Sequence, residues 1–237
     1  MKRLVLTKLH RAGFDIFRAQ PNLVDFLTSR NIDIVLDVGA NAGQFGRWLR
    51  HRGYDGRIIS LEPLAALYAR LRHEARDDKL WETHQIAAGE SPGSLEINIS
   101  DVSQFSSFLE QTCVAQRLFD SSRPSTTESV QMTTLDQFTS DLRGNIFLKV
   151  DTQGYEETVL RGSQQLLQRL CGVQLELPII HLYRGTWTLT RAIEYMKERG
   201  FIIGQLAPVS FAPGDGTCLV EVDATFRRFD KSIDGGD

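Results

Sequence analysis

Cysteine is scarce in this chain of 237 residues, which contains only Cys113, Cys171 and Cys218. The three are far apart, odd in number, and outside any Cys-x-x-Cys spacing. Disulfide frameworks and zinc sites both require paired or clustered cysteines, so the sequence predicts neither. We expect three small buried thiols in a reducing compartment, which favours a cytoplasmic location.

Long apolar runs and an excess of one charge are also absent. No run reaches the roughly 18 apolar residues of a membrane span. Residues 1–20 mix basic and apolar side chains where a signal peptide would be continuously apolar. We therefore expect no stable membrane insertion. The net charge is −3, with charges of both signs scattered along the chain. Because phosphate binding usually requires a basic stripe, nucleic acid is not expected as a partner. A homo-oligomer remains possible.

The chain does have strand-length apolar runs that alternate with segments of helical period, which is typical of an α/β domain with a largely parallel sheet and helices on its faces. The nearly continuous apolar run at 34–38 suits a strand buried on both sides. Further strands are predicted at 57–61, 82–87, 93–100, 146–150, 173–177, 201–206 and 218–222. Helices are predicted at 44–52, 64–76, 155–170 with a break near Gly162, and 189–199.

The same pattern divides the chain into three parts. We predict an N-terminal amphipathic helical extension at 1–30, one α/β domain at 31–226, and a flexible tail at 227–237. Residues 101–128 interrupt the alternation with a polar, proline-broken segment that contains one short helix near 108–118. Long loops inside compact domains are often lids or binding loops. A plain mobile insertion is the alternative.

The most informative motif is Asp37-Val38-Gly39-Ala40-Asn41-Ala42-Gly43, at the turn from the first strand into the first helix of the domain. Gly39 permits a tight turn and close approach of a ligand to the backbone. Gly43 permits a close crossing of strand and helix, and the helix start offers free N–H groups. Open α/β sheets bind nucleotides in this crevice, at the carboxyl ends of the strands.

The identity of the nucleotide depends on the residues around the glycines. A dinucleotide site requires Gly-x-Gly-x-x-Gly, but Ala40 occupies the middle position here. The carboxylate of Asp37 would repel a diphosphate and attract the ammonium and sulfonium groups of S-adenosylmethionine. Glu62, which ends the second strand, is placed to accept hydrogen bonds from the ribose of either cofactor. A capping role ahead of Pro63 is the alternative. An NAD(P)-dependent oxidoreductase remains open, although no Tyr-x-x-x-Lys pair follows a central strand.

Six motifs occur in a fixed order along 32–222: Asp37-Val38-Gly39-Ala40-Asn41-x-Gly43, Glu62-Pro63, Thr134-Leu135-Asp136, Leu148-Lys149-Val150-Asp151-x-x-Gly154-Tyr155-Glu156, Val159-Leu160-Arg161-Gly162 and Gln174-Leu175-Glu176. In this order they resemble the motifs of FkbM-type methyltransferases. The family pattern usually reads Asp-x-Glu-Gly, and Gln153 stands here in place of that glutamate.

The resemblance implies a class I methyltransferase fold, which is Rossmann-like: a mostly parallel seven-stranded sheet with helices on both faces and an antiparallel C-terminal hairpin. It also implies S-adenosylmethionine as donor and O-methylation of a hydroxyl on a small molecule, sugar, glycan or natural-product intermediate. Some residues are expected to bind the cofactor because they match the family's cofactor positions or lie next to them: Asp37, Gly39, Ala40, Asn41, Gly43, Phe45, Glu62, Pro63, Ala87, Ala88, Ser106 and Ser107. Because of Gln153, a non-catalytic module that binds this cofactor is an alternative.

Methyl transfer to an alcohol requires an acceptor oxygen about 3 Å from the methyl carbon, opposite the sulfur. A base that takes the hydroxyl proton would accelerate it by about 10²–10⁴-fold. Asp151, directly after the strand predicted at 146–150, is the first candidate for a catalytic or acceptor-positioning group. Lys149 lies two residues earlier, on the same sheet face, and would keep Asp151 ionised by pairing with it. A purely structural ion pair is the alternative. His181 is a second candidate base, or a surface histidine.

Acceptor contacts are predicted at four positions, one after the strand at 146–150 and three at or after the end of the strand at 173–177: Gln153, Glu176, Tyr183 and Trp187. The two aromatic rings could stack on a sugar or an apolar acceptor, or they could pack in the core. Asp151, Glu176 and His181 could together bind a divalent cation. Their spacing is not diagnostic, so we assign no metal ligand.

Overall fold

The computed structural model describes residues 21–100, 109, 112–118, 124–214 and 216–230. The helices are α1 Leu23–Ser29, α2 Gln44–His51, α3 Ala65–Ala75, α4 Cys113–Leu118, α5 Leu135–Phe138, α6 Glu156–Arg161, α7 Gln164–Arg169 and α8 Leu189–Glu198. The strands are β1 Ile34–Val38, β2 Arg57–Leu61, β3 Trp81–His84, β4 Ala87–Ala88, β5 Gly93–Ser100, β6 Pro124–Thr133, β7 Ile146–Val150, β8 Leu170–Pro178, β9 Phe201–Phe211 and β10 Leu219–Arg228.

Seven strands form the main sheet, in the order β3-β2-β1-β7-β8-β10-β9. The five strands from β3 to β8 are parallel, whereas β10 is antiparallel to β8 and to β9. The predicted mostly parallel sheet with an antiparallel C-terminal hairpin is therefore confirmed. The chain leaves β1 towards β2 on one side and returns to β7 on the other. This reversal opens a crevice at the carboxyl ends of β1 and β7, where sheets of this kind bind ligands.

Alternate residues of each strand point to opposite faces of the sheet. On one face, Leu36 and Leu148 pack with apolar side chains of α6, α7 and α8. On the other, Val35 and Phe147 pack with α1, α2 and α3. Burying each large apolar side chain contributes about 1.5–3 kcal/mol. The helices on both faces explain why the strand sequences are continuously apolar.

A second, three-stranded sheet with the order β4-β6-β5 was not predicted. The strand expected at 82–87 is two separate strands, β3 in the main sheet and β4 in the small one. β6 begins at Pro124, inside the segment interpreted as an insertion at 101–128. Its polar residues between Thr126 and Ser129 hide the strand pattern, because Val130 is the buried apolar residue of the described part of β6, as Ile97 is of β5.

The C-terminal hairpin is longer than predicted. β9 extends to Phe211, and β10 extends to Arg228, two residues past the expected domain end at 226. The Arg228 side chain donates hydrogen bonds from Nε to the Leu170 carbonyl at 3.0 Å and from Nη1 to the Arg199 carbonyl at 2.7 Å. Arg228 therefore belongs to the folded domain. Residues 231–237 of the expected tail lie outside the described residues.

At the other end, α1 falls inside the expected extension at 1–30 but packs into the domain, where Leu23, Val24 and Leu27 are buried. Residues 1–20 lie outside the described residues. Within the described ranges, no helix has the length and apolar character needed to cross a bilayer.

All three thiols are free, in agreement with the prediction. The prediction that they are buried was wrong: Cys113, which begins α4, and Cys218, in the β9–β10 connection, are exposed, and Cys171 is half-buried.

Candidate active site

A cavity of about 510 Å³ opens at the carboxyl ends of the central strands. One part of its wall is the loop after β1, from Gly39 to Asn41, and the start of α2. The opposite part comes from the ends of β7 and β8 and from the C-terminal hairpin. The cavity thus lies at the crevice where the order of the strands reverses.

The backbone of the β1–α2 loop is already hydrogen-bonded within the protein. Five consecutive N–H groups donate as follows: Gly39 and Ala40 to the Leu61 carbonyl, both at 3.0 Å, Asn41 to Glu62 Oε2 at 2.8 Å, Ala42 to Asn41 Oδ1 at 2.7 Å, and Gly43 to the Ala40 carbonyl at 2.9 Å. The N–H groups from Gly39 to Gly43 are therefore occupied, whereas among the described residues no hydrogen bond is found from those of Gln44, Phe45 and Gly46, so the N–H groups expected to be free are present where α2 begins. The loop itself offers a diphosphate few donors.

Gly39 is required by packing as well as by the turn. Its φ is +80°, and a Cβ atom there would lie 1.8 Å from the Asp151 carbonyl oxygen. The loop after β1 therefore presses against the chain as it leaves β7. Gly43, with φ +86°, approaches Leu71 and Trp81, where a Cβ would lie 3.1 and 3.3 Å from their side chains. This agrees with the predicted close crossing of strand and helix.

Glu62 lines the cavity and also holds the local backbone. Oε2 accepts the Asn41 N–H at 2.8 Å, and Oε1 accepts the Leu64 N–H at 2.9 Å. The side chain is only 4% exposed. Burial raises the pKa of Glu62 to about 7, although these two backbone N–H groups lower it. Each carboxylate oxygen can accept a second hydrogen bond. The capping role and the ribose role are therefore compatible.

Lys149 is the centre of a group of charges at the cavity wall. Its Nζ lies 3.4 Å from Asp37 Oδ1 and 3.1 Å from Asp151 Oδ2, so the predicted pairing with Asp151 is present. Burial lowers the pKa of Lys149, but the Asp151 and Asp37 carboxylates outweigh it and hold that pKa above its usual range. The ammonium also lies 5.1 Å from the centroid of the Phe45 ring. Asp37 is fully buried and does not line the cavity, but it contacts Lys149, which does.

Gln153 connects two carboxylates that line the cavity. Its Nε2 donates to Asp151 Oδ1 at 3.1 Å and to Glu176 Oε1 at 2.8 Å. Its Oε1 accepts the Tyr183 hydroxyl at 3.0 Å. The backbone of Gln153 has φ +53°, which is uncommon for a residue with a side chain. Gln153 also lines the cavity, so its amide forms part of the wall next to the acids.

The hairpin contributes two acids that the sequence analysis missed. Glu221 and Asp223 of β10 line the cavity together with Ser210 of β9, and Asp223 pairs with Glu176 in the register of β8 and β10. Burial raises the pKa of Asp223 to about 6 and raises that of Glu221. The signal in the sequence was a pair of acids two residues apart in an apolar strand, Glu221 and Asp223. This pattern was missed because the predicted strand ended at 222, before the second acid.

The apolar part of the cavity agrees with several predicted positions. Phe45, Pro63, Ala87 and Ala88 all line it. Other apolar side chains of this part of the wall were not singled out from the sequence: Leu64, Leu67 and Ile97. Ser106 and Ser107 lie outside the described residues.

Three other predicted residues do not reach the cavity wall. His181 Nδ1 lies 2.7 Å from Thr186 Oγ1. Trp187 is 3% exposed and packs in the core, 5.5 Å from Tyr195 between ring centroids. Core packing, the alternative interpretation of Trp187, is therefore what the structure shows. Tyr183 is buried and contacts the site only through Gln153. Within the described ranges, no three His, Cys, Asp or Glu side chains are arranged to hold a metal ion.

Carboxylates outnumber cations in the cavity wall. Among the described residues that line it are five acids and one base: Glu62, Asp151, Glu176, Glu221, Asp223 and Lys149. The single ammonium is already in contact with two carboxylates. The wall therefore favours a ligand that carries positive charge.

Comparison with known proteins identifies the family. A family model described as the methyltransferase FkbM domain matches residues 37–203. No curated protein matches the chain in sequence.

Similar solved structures include the methyltransferase domain of bacterial CtHen1, at 13% identity and TM-score 0.49, covering 88% of this chain and 95% of that one. A putative S-adenosylmethionine-dependent methyltransferase from Listeria monocytogenes has 9% identity and TM-score 0.49, covering 87% and 95%. An rRNA methylase from Streptococcus thermophilus has 10% identity and TM-score 0.46, covering 87% and 94%. The family model matches residues 37–203, which is well over half of this chain. The chain therefore belongs to the FkbM methyltransferase domain family and is a methyltransferase.

Proposed function

We propose that this methyltransferase uses S-adenosylmethionine to methylate a hydroxyl on a small molecule, sugar, or glycan or natural-product intermediate. The observation that carries the proposal is the character of the cavity. Its glycine loop has no spare N–H group from Gly39 to Gly43, and among the described residues of its wall there are five carboxylates and one lysine. A site of this kind suits a sulfonium and an ammonium, and it disfavours the diphosphate of a nicotinamide dinucleotide.

The residues present fit S-adenosylmethionine along the length of the cavity. The methionine end would lie over Gly39 to Asn41, close to the Asp151–Lys149 pair. Glu62 would accept hydrogen bonds from the ribose hydroxyls. The apolar wall around Ile86, Ala87 and Leu64 would cover the adenine ring. The bound cofactor supplies an electrophilic methyl group on a positively charged sulfur.

The protein's part in the reaction is to orient the acceptor and to receive its proton. The acceptor oxygen must lie about 3 Å from the methyl carbon and in line with the sulfur. Asp151 is fixed from both sides, by Lys149 and Gln153, and faces the cavity. In the proposed reaction, Asp151 positions the acceptor hydroxyl. The oxygen then attacks, and the hydroxyl proton passes to a carboxylate.

Two measurements test the proposal. Isothermal titration calorimetry with S-adenosylmethionine and with NADH should show binding of the first alone. Tight binding of NADH without binding of S-adenosylmethionine would contradict the proposal. A mass-spectrometric screen of cell extract from the producing organism, supplied with S-adenosylmethionine labelled in the methyl group, should then reveal a product whose label resists mild base as an ether does. Labelled ester or amine products would contradict O-methylation of a hydroxyl.

A further inference from the structure

The proposed reaction releases one proton, and its acceptor within the cavity has to be identified. Among the described residues that line the cavity there is no histidine, and the one lysine is held in its charged form by Asp151 and Asp37. Of the described groups in the wall, the carboxylates are therefore the ones that can take the proton. They differ in how many hydrogen bonds they already accept and in how far they lie from the β1 loop.

Asp151 has a donor on each oxygen. Lys149 Nζ lies 3.1 Å from Oδ2, and Gln153 Nε2 lies 3.1 Å from Oδ1. Both oxygens therefore already accept a hydrogen bond. Asp151 can orient an acceptor hydroxyl through its remaining lone pairs, but a proton arriving there would compete with the Lys149 and Gln153 donors.

Glu176 is engaged on one oxygen only. Oε1 accepts from Gln153, and within the part of the chain that the structure describes no hydrogen bond to Oε2 is found. Glu176 lines the cavity on β8, two strands from β1, which is roughly 10 Å across the sheet. Glu221 and Asp223 lie one strand farther, at roughly 14 Å. Ser210 already donates to Glu221 at 2.8 Å, and Gln174 to Asp223.

We propose that Glu176 is the catalytic residue that takes the acceptor's proton, and that Gln153, oriented by Tyr183, is a positioning residue that holds Glu176 in place. This inference rests on the proposed function. The acceptor oxygen forms a bond to the methyl carbon with a lone pair, the sulfur–carbon bond breaks, and its electron pair stays on sulfur as S-adenosylhomocysteine. The hydroxyl proton passes to Glu176, which becomes a neutral carboxylic acid and then releases the proton to water.

The orientation of the Gln153 amide follows from Tyr183. The tyrosine hydroxyl donates to Oε1, so the NH₂ group must turn towards Asp151 and Glu176. A single amide donor thereby fixes both carboxylates relative to each other. With the opposite amide orientation, two carboxylates would face a carbonyl oxygen, which is repulsive.

The electrostatic surroundings of Glu176 strengthen it as a base. Burial raises the pKa of Glu176 well above its usual range. The charged groups that face it from β7 and β10 have opposing effects. Asp151, Glu221 and Asp223 raise the pKa, and Lys149 lowers it. A base is most effective when its pKa lies near the working pH.

The positioning role is tested without an acceptor, by ¹³C NMR titration of glutamate carboxyl groups in the full-length protein. Glu176→Gln identifies the Glu176 signal by its loss. Gln153→Glu replaces the donor with a further acid, so the titration midpoint of Glu176 should rise by about one pH unit, a tenfold change in proton affinity. Tyr183→Phe should shift it in the same direction by less. Gln168→Glu, an exposed position on α7, adds the same charge as a control and should cause no shift. An unmoved midpoint in Gln153→Glu would overturn the positioning role.

The catalytic role is tested by the rate of labelled methyl transfer into the acceptor pool of the cell extract as a function of pH. The wild-type rate should fall on the acid side as Glu176 becomes protonated. Glu176→Gln should lower the rate by about 10²–10⁴-fold and remove this acid limb, whereas Asp151→Asn should lower the rate and keep the limb. In Gln153→Glu the limb should move to higher pH.

Three outcomes of these experiments have separate meanings. A Glu176→Gln variant that keeps the wild-type rate, or an acid limb that disappears only in Asp151→Asn, overturns the inference. If Glu176→Gln fails to fold, judged by circular dichroism, the pH limb of Gln153→Glu decides instead, and a limb that stays in place overturns the inference. A wild-type protein that neither binds S-adenosylmethionine nor transfers a methyl group would refute the proposed function itself.

Discussion

At the scale of single residues, the loop after β1 depends on one missing side chain. Gly39 and Gly53 both have positive φ, +80° and +90°, but only Gly39 meets the backbone of another segment. An alanine at either position suffers the left-handed strain of about 1–2 kcal/mol. Gly39→Ala also places a methyl group 1.8 Å from the Asp151 carbonyl oxygen, whereas Gly53→Ala has open space within 4 Å.

We therefore expect Gly39→Ala to lower the free energy of unfolding by about 2–3 kcal/mol more than Gly53→Ala does. Urea denaturation measures the difference, and calorimetry should show that only Gly39→Ala loses S-adenosylmethionine binding. Equal stabilities of the two variants would mean that the approach of the two segments is not tight.

The role of Asp151 in the reaction can be tested separately from folding. Asp151→Asn keeps the size of the side chain, and Lys149 keeps its contact with Asp37 at 3.4 Å. We expect calorimetry to show S-adenosylmethionine affinity within about threefold of wild type, and the turnover number to fall by about 10²-fold. Glu198→Gln, at a side chain that is 75% exposed on α8, is the control for losing one acid. Unchanged turnover in Asp151→Asn would remove Asp151 from the proposed mechanism.

At the scale of elements, the turn between β7 and α6 is held by one buried acid. Glu156 is 1% exposed, and its Oε1 accepts the Thr152 N–H at 2.9 Å, the Thr152 hydroxyl at 3.2 Å and the Gly154 N–H at 3.1 Å. Asp151 and Gln153 belong to this turn, so the geometry of the site depends on it. Burial raises the pKa of Glu156 to about 7, even though these backbone donors lower it.

A pH dependence of stability follows from this shift. Between the ordinary pKa of 4.5 and about 7, the folded protein keeps a proton on Glu156 that the unfolded chain has lost. The stabilisation is complete below pH 4.5 and is lost as the pH rises through 7. We expect urea denaturation to show Glu156→Gln losing less stability over this range than wild type, by on the order of 3 kcal/mol. Glu194→Gln, an exposed position on α8, is the control and should follow wild type. Parallel curves for Glu156→Gln and wild type would contradict the assignment.

At the scale of the whole molecule, the end of β10 ties the C-terminal hairpin to the rest of the domain. Besides its bonds to the Leu170 and Arg199 carbonyls, Arg228 donates to the Leu167 carbonyl of α7 and lies over the Phe201 ring, 4.1 Å from its centroid. Because β10 is antiparallel to β8, the end of β10 lies beside the amino end of β8, whereas the cavity lies at the carboxyl end of β8. The contacts of Arg228 therefore support the fold without touching the site.

We expect Arg228→Ala to lower the free energy of unfolding by about 2–4 kcal/mol, because three carbonyl groups lose a charged donor. Arg228→Lys should recover part of the loss, since a single ammonium reaches fewer of the three. S-adenosylmethionine affinity should stay unchanged in both variants. Urea midpoints and calorimetry measure the two effects. An Arg228→Ala protein as stable as wild type would show that the hairpin is held by its strand pairing alone.

The sequence by itself determined the features that depend on local periodicity and spacing. Apolar runs of strand length located β1, β2, β7 and β8, and the acid-led glycine loop located the crevice. The pairing of Lys149 with Asp151 followed because residues two apart on a strand share a face. Glu62 could be placed at the cavity because it ends a strand next to β1. Each of these inferences involves residues close in the chain or in neighbouring parallel strands.

Only the tertiary structure decided which residues from distant segments meet. The order and register of β8, β10 and β9 bring Glu221, Asp223 and Ser210 to the cavity. No local sequence pattern encodes this order or this register. Hydrogen bonds to the end of β2 occupy the N–H groups of Gly39, Ala40 and Asn41, which the motif alone did not predict. Trp187 packs in the core because residues from distant segments surround it. Burial and hydrogen bonding depend on long-range contacts, and those are fixed only when the sheet is assembled.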